Sequence, residues 1–271
     1  MDELRLIEGA ERDRLILSIL NRIDDEDGFT AEERAAAWES RWREQLEAFR
    51  VSPLDSLLIP RFIRAGQPVR WRQQFYHPTD HQHELNYVRM MQEHIGDRME
   101  GCKSIHEFGC GTGFNLLAMK RRFPGATVAG YDYSRAAVAL ASESARHYGL
   151  SITTSRFDMA TQEPIAYTLG PDSGVFTFGA LEQLGPRRFQ AFIDYLIEQR
   201  PSIVVHVEPV PELLDPDNLV DALSLRFHRR RGYTEGLLAY LHGRVNMLEV
   251  ERSWFGSTMI ESYAQVVWRP Q

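Results

Sequence analysis

Acidic residues and closely spaced glycines occur together near the middle of this chain. Glu107 is followed by Gly109, Gly111 and Gly113, and Asp132 comes after the next apolar run. Glycine has no Cβ, so a glycine-rich turn lets a ligand approach the backbone closely. A carboxylate accepts hydrogen bonds from two neighbouring hydroxyl groups, which suits a ribose. The spacing therefore predicts a nucleoside site in which the turn and the second acid contact the same ligand.

The spacing of the glycines distinguishes between classes of nucleotide site. In the G-x-G-x-x-G pattern of nicotinamide sites, the third glycine would fall at position 114, which is Phe114. A Walker phosphate loop ends in Gly-Lys-Ser/Thr, whereas this turn ends in Gly113-Phe114-Asn115. Both sites are disfavoured, and a nicotinamide-dependent oxidoreductase is kept as an alternative function.

The segment from Glu107 to Gly113 has the form E-x-G-x-G-x-G and resembles the first motif of class I methyltransferases that depend on S-adenosylmethionine (SAM). The resemblance covers residues 85–208 well and 245–269 loosely. It implies that the turn contacts the methionine part of SAM, that Asp132 binds the ribose, and that residues after the third strand contact the adenine. The predicted cofactor contacts are Glu107, Gly109, Cys110, Gly111, Gly113, Asp132, Tyr133, Asp158, Met159 and Gly179.

The segment 178–184 resembles the part of this family that often reads His-x-Leu-Glu-His after the fourth strand. Here Gly179 and Gln183 stand at the two histidine positions. An amide does not titrate, so Gln183 is not a general base. We expect Tyr76, Glu182 and Gln183 to contact the methyl acceptor. The missing histidines give some weight to a second alternative, a non-catalytic protein of the same fold that binds a partner.

The general base is predicted among His206, His77 and Glu208. Residues alternate between the two faces of a strand, so His206 and Glu208 share a face at the end of the fifth predicted strand. Histidine is the usual proton acceptor near neutral pH, although a buried core histidine is an equal interpretation of His206. The histidine-rich stretch 76–83 lacks a matching cluster of cysteines or carboxylates, and no metal site is predicted.

Arginines concentrate between Arg226 and Arg231. Such a cluster can hold a phosphate or carboxylate of the acceptor through bidentate hydrogen bonds. Runs of charge more often form a solvated helix face, which is the interpretation favoured here.

Strand and helix patterns alternate from residue 103 onwards. Apolar strands separated by helices indicate a parallel sheet covered on both faces. The predicted strands are 103–108, 127–131, 151–155, 174–178, 202–207, 245–251 and 262–269, with helices at 114–123, 134–147 and 186–199. The predicted fold is a Rossmann-like, doubly wound sheet of seven mostly parallel strands, with a helical insertion at 209–243 before the last two strands.

Residues 1–84 are predicted to form an N-terminal helical hairpin followed by a lid or linker, and 85–271 the methyltransferase domain. Two amphipathic helices are expected at 3–24 and 30–50, the second opening with the capping box Thr30–Glu33. The hairpin is expected either to cap the main domain or to pair with a second subunit in a homodimer.

The composition is ordinary for a soluble globular protein, with 43% hydrophobic and 25% charged residues. A net charge of −7 argues against binding to a nucleic-acid backbone. No apolar run approaches a membrane span, the charged N-terminus does not resemble a signal peptide, and the two cysteines fit a reducing compartment. We therefore expect a cytoplasmic SAM-dependent methyltransferase that acts on an oxygen or nitrogen atom of a small molecule, such as a sugar or secondary metabolite.

Overall fold

A computed structural model gives the architecture of the chain. The structure describes residues 4–25, 31–60, 63–64, 66–80, 82–162, 168–260 and 263–271. Thr30, the predicted cap of the second helix, lies outside these ranges. Within them, no helix is long and apolar enough to cross a membrane.

The described residues contain eleven strands and eight α-helices. The strands are β1 (Leu4–Leu6), β2 (Val69–Trp71), β3 (Gln74–Pro78), β4 (Ser104–Phe108), β5 (Thr127–Asp132), β6 (Ile152–Arg156), β7 (Ser173–Phe178), β8 (Ile203–Glu208), β9 (Val245–Arg252), β10 (Phe255–Gly256) and β11 (Ala264–Pro270). The helices are α1 (Gly9–Asp24), α2 (Ala31–Val51), α3 (His83–Arg98), α4 (Phe114–Arg122), α5 (Arg135–His147), α6 (Phe189–Gln199), α7 (Leu219–Arg231) and α8 (Leu237–Leu241). Short 3-10 turns lie at Asp55–Leu57, Leu181–Leu184 and Pro211–Leu213.

Seven strands form the central sheet in the order β6-β5-β4-β7-β8-β11-β9. The strands from β6 to β8 are parallel, and β11 runs antiparallel to both of its neighbours. The chain builds outward from β4 to β6 and then returns to place β7 on the other side of β4. Ligands of such sheets bind beside this reversal, at the carboxyl ends of the strands. The predicted seven-stranded Rossmann-like fold is confirmed.

Both faces of the sheet are covered, which explains why its central strands are buried along their whole length. Every residue of β4, β7 and β8 is buried. Side chains alternate between two cores: Val204 packs with the residues of α6, and Val205 packs with those of α3. This alternation fixes the direction in which each strand-end residue points.

A second sheet, which the sequence patterns did not reveal, has the order β1-β3-β2-β10. Residues 3–8 were expected in the first helix, but Leu4–Leu6 form a strand instead. The β2–β3 turn places Arg72 and Gln73 at φ of 48° and 61°. Two-residue hairpins require this left-handed backbone, and glycine or asparagine usually marks them. Neither residue occurs here, so the turn carried no recognisable signal.

The two N-terminal helices pack chiefly on the rest of the chain, not on each other. Ile19 and Ile23 of α1 share a core with Phe227 of α7. Leu46 and Phe49 of α2 share another with Leu140 of α5 and Leu117 of α4. The expected hairpin is therefore replaced by two separate docking sites. The sheet that joins β10 to β1–β3 also crosses the predicted boundary between residues 84 and 85.

Candidate functional site

The glycine turn follows β4, as its spacing predicts. Gly109, Gly111 and Gly113 have φ of 79°, 50° and 78°, in the left-handed region that favours glycine. A Cβ on Gly109 would lie 2.2 Å from Cβ of Ala180, and one on Gly113 would lie 3.2 Å from Cα of Ala141. Close approach of the post-β7 loop and of α5 therefore requires glycine at two positions. Gly109 also lines the cavity described below.

Glu107 lies directly before this turn and is 1% exposed. Its Oε1 accepts a hydrogen bond of 2.8 Å from Asn115 Nδ2, and Asn115 in turn accepts one from Gln92. Within the described part of the chain, Oε2 is buried without a hydrogen-bond partner. Burial raises the pKa of Glu107 to about 8. An unpartnered carboxylate oxygen beside a glycine turn suits a ligand that donates hydrogen bonds or carries positive charge.

Asp132 ends β5 on the opposite side of the turn. Its Oδ2 accepts from the Gly111 amide at 3.0 Å, and its Oδ1 accepts from the Ser134 amide at 2.9 Å. Burial raises the pKa of Asp132 to about 6. A carboxylate has about four acceptor positions, so two remain for hydroxyl groups of a ribose.

A cavity of about 160 Å³, here called the cofactor cavity, opens between these residues. Of the predicted cofactor contacts, six line it: Gly109, Asp132, Tyr133, Asp158, Met159 and Gly179. Gln183, predicted to contact the acceptor, also lines it. The turn residues Cys110, Gly111 and Gly113 and the acid Glu107 lie behind this surface. Burial raises the pKa of the Cys110 thiol, which fits the packing role expected for it.

Asp158 shapes the far end of the cofactor cavity. Its Oδ1 accepts from the Ala160 amide at 2.8 Å, a local turn that follows β6. Met159 is buried beside it, and Phe157 and Ala160 also line the cavity. Apolar side chains beside an acid are what an adenine ring requires.

Helix α2 covers the cofactor cavity, and sequence reasoning missed this contribution. Arg34, Ala35, Trp38 and Trp42 line the cavity. The Trp42 ring lies 3.2 Å from where a Cβ on Gly111 would stand. Trp38 stacks on Trp42 with ring centroids 5.4 Å apart. Positions 34, 38 and 42 are four residues apart, and this spacing predicts that their side chains share one face of the helix.

Glu39 secures α2 above the site. Its Oε2 accepts a hydrogen bond of 2.7 Å from Ser134 Oγ at the start of α5. Ser134 Oγ also accepts from the Ala137 amide, as an N-cap does. The helix that covers the cavity is thus bonded to the element that carries Asp132.

Glu208 anchors the loop after β7 and does not line the cofactor cavity. Its carboxylate accepts from the backbone amides of Ala180, Leu181 and Glu182 at 3.0, 3.1 and 3.3 Å. Burial raises its pKa. Burial, and then repulsion from Glu208, raises the pKa of Glu182 to about 8. Glu182 accepts from Gln183 Nε2 at 2.8 Å, which orients the amide that faces the cavity.

His206, predicted as a base, is a core residue. It is fully buried, its Nδ1 lies 2.9 Å from Thr177 Oγ1, and its ring lies 6.1 Å from that of Trp268. Burial lowers its pKa to about 3, so the ring is neutral. His206 and Glu208 lie on the same face of β8, as predicted. At His206 this face is turned into the core beneath α6, where an acceptor has no access.

His77 and Tyr76 belong to the small sheet and do not line the cofactor cavity. His77 Nε2 lies 3.3 Å from Glu11 Oε1, and the Tyr76 ring contacts Trp71 edge-on at 5.8 Å. Tyr76 packs against the core that lies beneath α3. The described residues contain no group of histidine, cysteine, aspartate or glutamate suited to a metal.

Solved structures with this fold have low sequence identity to the chain. The [4+2]-cyclase SpnF aligns over 90% of this chain and 97% of its own, with a TM-score of 0.54 and 16% identity. Geranyl diphosphate C-methyltransferase from Streptomyces coelicolor A3(2), solved with S-adenosyl-L-homocysteine (SAH), aligns over 70% and 81%, with a TM-score of 0.50 and 13% identity. No curated protein matches the chain.

An O-methyltransferase family 2 protein from Planctomyces limnophilus DSM 3776, in complex with apigenin, has a TM-score of 0.50 and 10% identity. The alignment covers 69% of this chain but 59% of that protein, so less than two thirds of its length is represented.

Residues 105–198 match the family model of a methyltransferase domain. That range contains the glycine turn, Asp132, Asp158 and the loop after β7. Residues 105–198 are therefore similar to a methyltransferase domain, and the cofactor that this similarity implies is SAM.

Proposed function

We propose that this protein transfers the methyl group of SAM to an oxygen or nitrogen atom of a small-molecule acceptor. One observation carries the assignment: Gly109 of the glycine turn, Asp132 and Asp158 line a single cavity at the carboxyl ends of β4, β5 and β6. These are the three contacts that the motif resemblance assigns to the methionine, ribose and adenine parts of SAM. The methyltransferase-domain match spans all three.

The residues present suit such a cofactor. Gly109 of the turn lines the cavity, and the buried Oε2 of Glu107, which has no hydrogen-bond partner among the described residues, is proposed to accept a hydrogen bond from the amino group of the methionine moiety. Asp132 is proposed to accept hydrogen bonds from the ribose hydroxyls. Asp158 is proposed to accept from the adenine amino group, with Met159 against the ring. When bound, SAM supplies an electrophilic methyl group on a sulfonium.

Positioning is the role that we assign to the residues around the acceptor. Methyl transfer requires the acceptor atom close to the methyl carbon and opposite the sulfur. Gln183 is the proposed hydrogen-bonding contact for the acceptor, since Glu182 orients its amide and it lines the cavity. His206 is buried in the core and His77 does not line the cofactor cavity, so neither observation supports a general base.

Helix α2 is proposed to adjust when the cofactor enters. A cavity of about 160 Å³ is smaller than the roughly 300–1,000 Å³ of typical small-molecule sites. Trp38 and Trp42 occupy the open side of the cavity, so an outward shift of this helix enlarges it. The helix then encloses the cofactor, which excludes water from the reacting methyl group.

Isothermal titration calorimetry with SAM, SAH and NAD tests this function. Binding of both adenosyl ligands without NAD supports a methyltransferase and rejects the oxidoreductase alternative. Absence of SAH binding would contradict the proposal and favour a non-catalytic interaction protein. Formation of SAH from SAM in the presence of an acceptor then distinguishes methyl transfer from any other reaction on this fold.

A further inference from the structure

A second cavity, of about 400 Å³, lies beside the cofactor cavity and is lined by six arginines. We call it the arginine pocket. Arg34 comes from α2, Arg187 and Arg188 precede α6, and the run 229–231 ends α7. No aspartate or glutamate is among the described residues that line it. In a chain with a net charge of −7, this concentration of positive charge is local and specific.

The two cavities share walls. Arg34, Leu184 and Arg188 line both of them. A group held in the arginine pocket therefore lies next to the space proposed for SAM, and a ligand that extends from one cavity into the other contacts Arg34 and Arg188.

Backbone and side-chain hydrogen bonds fix the framework of the arginine pocket. Thr234 donates from Oγ1 to the Leu181 carbonyl and from its amide to the Glu182 carbonyl, both at 2.9 Å. A Cβ on Gly185 would lie 3.0 Å from the Gly232 carbonyl oxygen, so the two loops are in close contact. The segments that carry Arg188 and Arg231 are thus joined before any ligand arrives.

Arg34 connects α2 to the other two segments that line the pocket. Its guanidinium donates to the Gln183 carbonyl at 3.2 Å and also to the Arg231 carbonyl. Burial lowers the pKa of Arg34; the charges of Arg231 and Arg188 lower it further, whereas Tyr233 and Glu182 act in the opposite direction. Like charges therefore face each other in this pocket, an arrangement that an anion would stabilise.

Stabilisation of the helix end explains only part of the cluster. Basic residues in the last turn of α7 interact favourably with the helix dipole, and Arg229 Nε lies 3.7 Å from Glu235. Neither effect accounts for Arg34, Arg187 and Arg188, which converge from other elements. Arg226, on the same helix, pairs with Asp24 and lies outside the pocket.

We propose that the arginine pocket binds an anionic group, a phosphate or carboxylate, of the methyl acceptor; this assignment rests on the methyl transfer proposed above. Guanidinium groups bind such oxygens in bidentate pairs, with geometry that lysine does not provide. Arg229 and Arg230 are exposed, as expected for a solvated helix face; the proposal adds a ligand for the residues 229–231 that line the pocket.

Calorimetric titration of inorganic pyrophosphate into the SAH-saturated protein tests the pocket. The double variant Arg187→Gln/Arg230→Gln removes two exposed guanidinium groups from its wall. We expect its Kd for pyrophosphate to rise at least tenfold at fixed ionic strength. The matched control Arg226→Gln removes one positive charge from α7 outside the pocket and should change Kd less than twofold.

The outcomes separate the pocket from the methyltransferase assignment. SAH binding without pyrophosphate binding, or an equal pyrophosphate Kd in the wild type and the double variant, overturns the anion site alone. Absence of SAH binding overturns the proposed function instead. Pyrophosphate that raises the KM of an active acceptor without changing kcat identifies the pocket as the acceptor site. Inhibition that is not competitive with the acceptor assigns it to a free anion and overturns the acceptor proposal.

Discussion

Asp132 combines two tasks in one carboxylate. It holds the glycine turn to the start of α5 through the amides of Gly111 and Ser134, and it faces the cofactor cavity. The first task was not apparent from the sequence, because it depends on how β4 and β5 lie side by side. The second was predicted, because an acid at the end of the second strand is a local feature of the chain.

Substitution of Asp132 by alanine should weaken SAH binding at least tenfold, because the proposed ribose contact is lost. Loss of two amide contacts should also lower the free energy of unfolding by about 1–2 kcal/mol, as for helix caps. Calorimetry and urea unfolding measure the two effects. Asp132→Asn keeps one acceptor oxygen, so its Kd for SAH and its free energy of unfolding should lie between those of the wild type and the alanine variant. An unchanged Kd for SAH in the alanine variant would contradict the ribose assignment.

Glu107 should make the stability of the ligand-free protein depend on pH. Its folded pKa of about 8 lies above the ordinary value of 4.5 for this carboxyl group, so the folded state binds a proton more tightly than the unfolded state. Its contribution to stability is present below about pH 4.5 and is lost as the pH rises towards 8.

The variant Glu107→Gln does not titrate, so the free energy of unfolding of the wild type should decrease relative to that of the variant between pH 5 and 8. Urea unfolding at pH 5, 6.5 and 8 measures this difference. A difference that is independent of pH would show that Glu107 ionises normally in the folded protein.

Helix α2 is the element whose role differs most from expectation. Its amphipathic pattern predicts half of a hairpin, yet Leu46 and Phe49 dock on α4 and α5, while Trp38 and Trp42 cover the cofactor cavity. The pattern shows that a helix has an apolar face but does not say which partner buries it. The strands and helices of the central sheet were predicted within about three residues, since their short alternating segments each carry a complete local signal.

Substitution of Trp42 by alanine should speed SAH dissociation about tenfold or more, because removal of a large aromatic contact loses roughly 1.5–3 kcal/mol of burial. Stopped-flow displacement measures the rate. Trp254→Ala is a matched control, because this tryptophan is 41% exposed and does not line the cavity. Equal dissociation rates in both variants would rule out α2 as a cover for the cofactor.

The glycine turn offers a second test at the scale of elements. Gly113→Ala forces a left-handed residue to carry a Cβ 3.0 Å from Cβ of Ala141, and should cost about 1–3 kcal/mol of stability through backbone strain and crowding. A Cβ added to Gly125 would meet no atom within 4 Å, and this glycine has no positive φ, so Gly125→Ala should leave the melting temperature almost unchanged. Comparable melting temperatures for the two variants would contradict the packing of α5 on the turn.

A buried ion pair joins distant parts of the whole molecule. Arg252 of β9 donates to Asp221 of α7 through two nitrogens, at 2.9 and 2.6 Å, and Gln73 of the β2–β3 turn donates to the same carboxylate. Burial alone would raise the pKa of Asp221, but the hydrogen bond from Arg252 and other donors lower it overall. No sequence pattern indicated this contact, because its three members are far apart in the chain.

Removal of one partner should destabilise the whole molecule. Arg252→Ala leaves the Asp221 carboxylate buried without its cation and should cost about 3–5 kcal/mol. Chemical unfolding followed by circular dichroism measures the loss. Arg244→Ala removes an exposed pair with Asp194 and should cost less than about 1 kcal/mol. Similar losses in the two variants would show that the buried pair does not join these segments.

The order of strands in the central sheet has a consequence for synthesis on the ribosome. Strand β11 lies between β8 and β9, although it follows both in the chain. Until residues 264–270 leave the exit tunnel, β9 has no neighbour to join and the apolar edge of β8 stays open. Open edges of this kind attract other strands. Pairing of β8 with a strand of another chain is therefore a hazard until β11 occupies its place in the sheet.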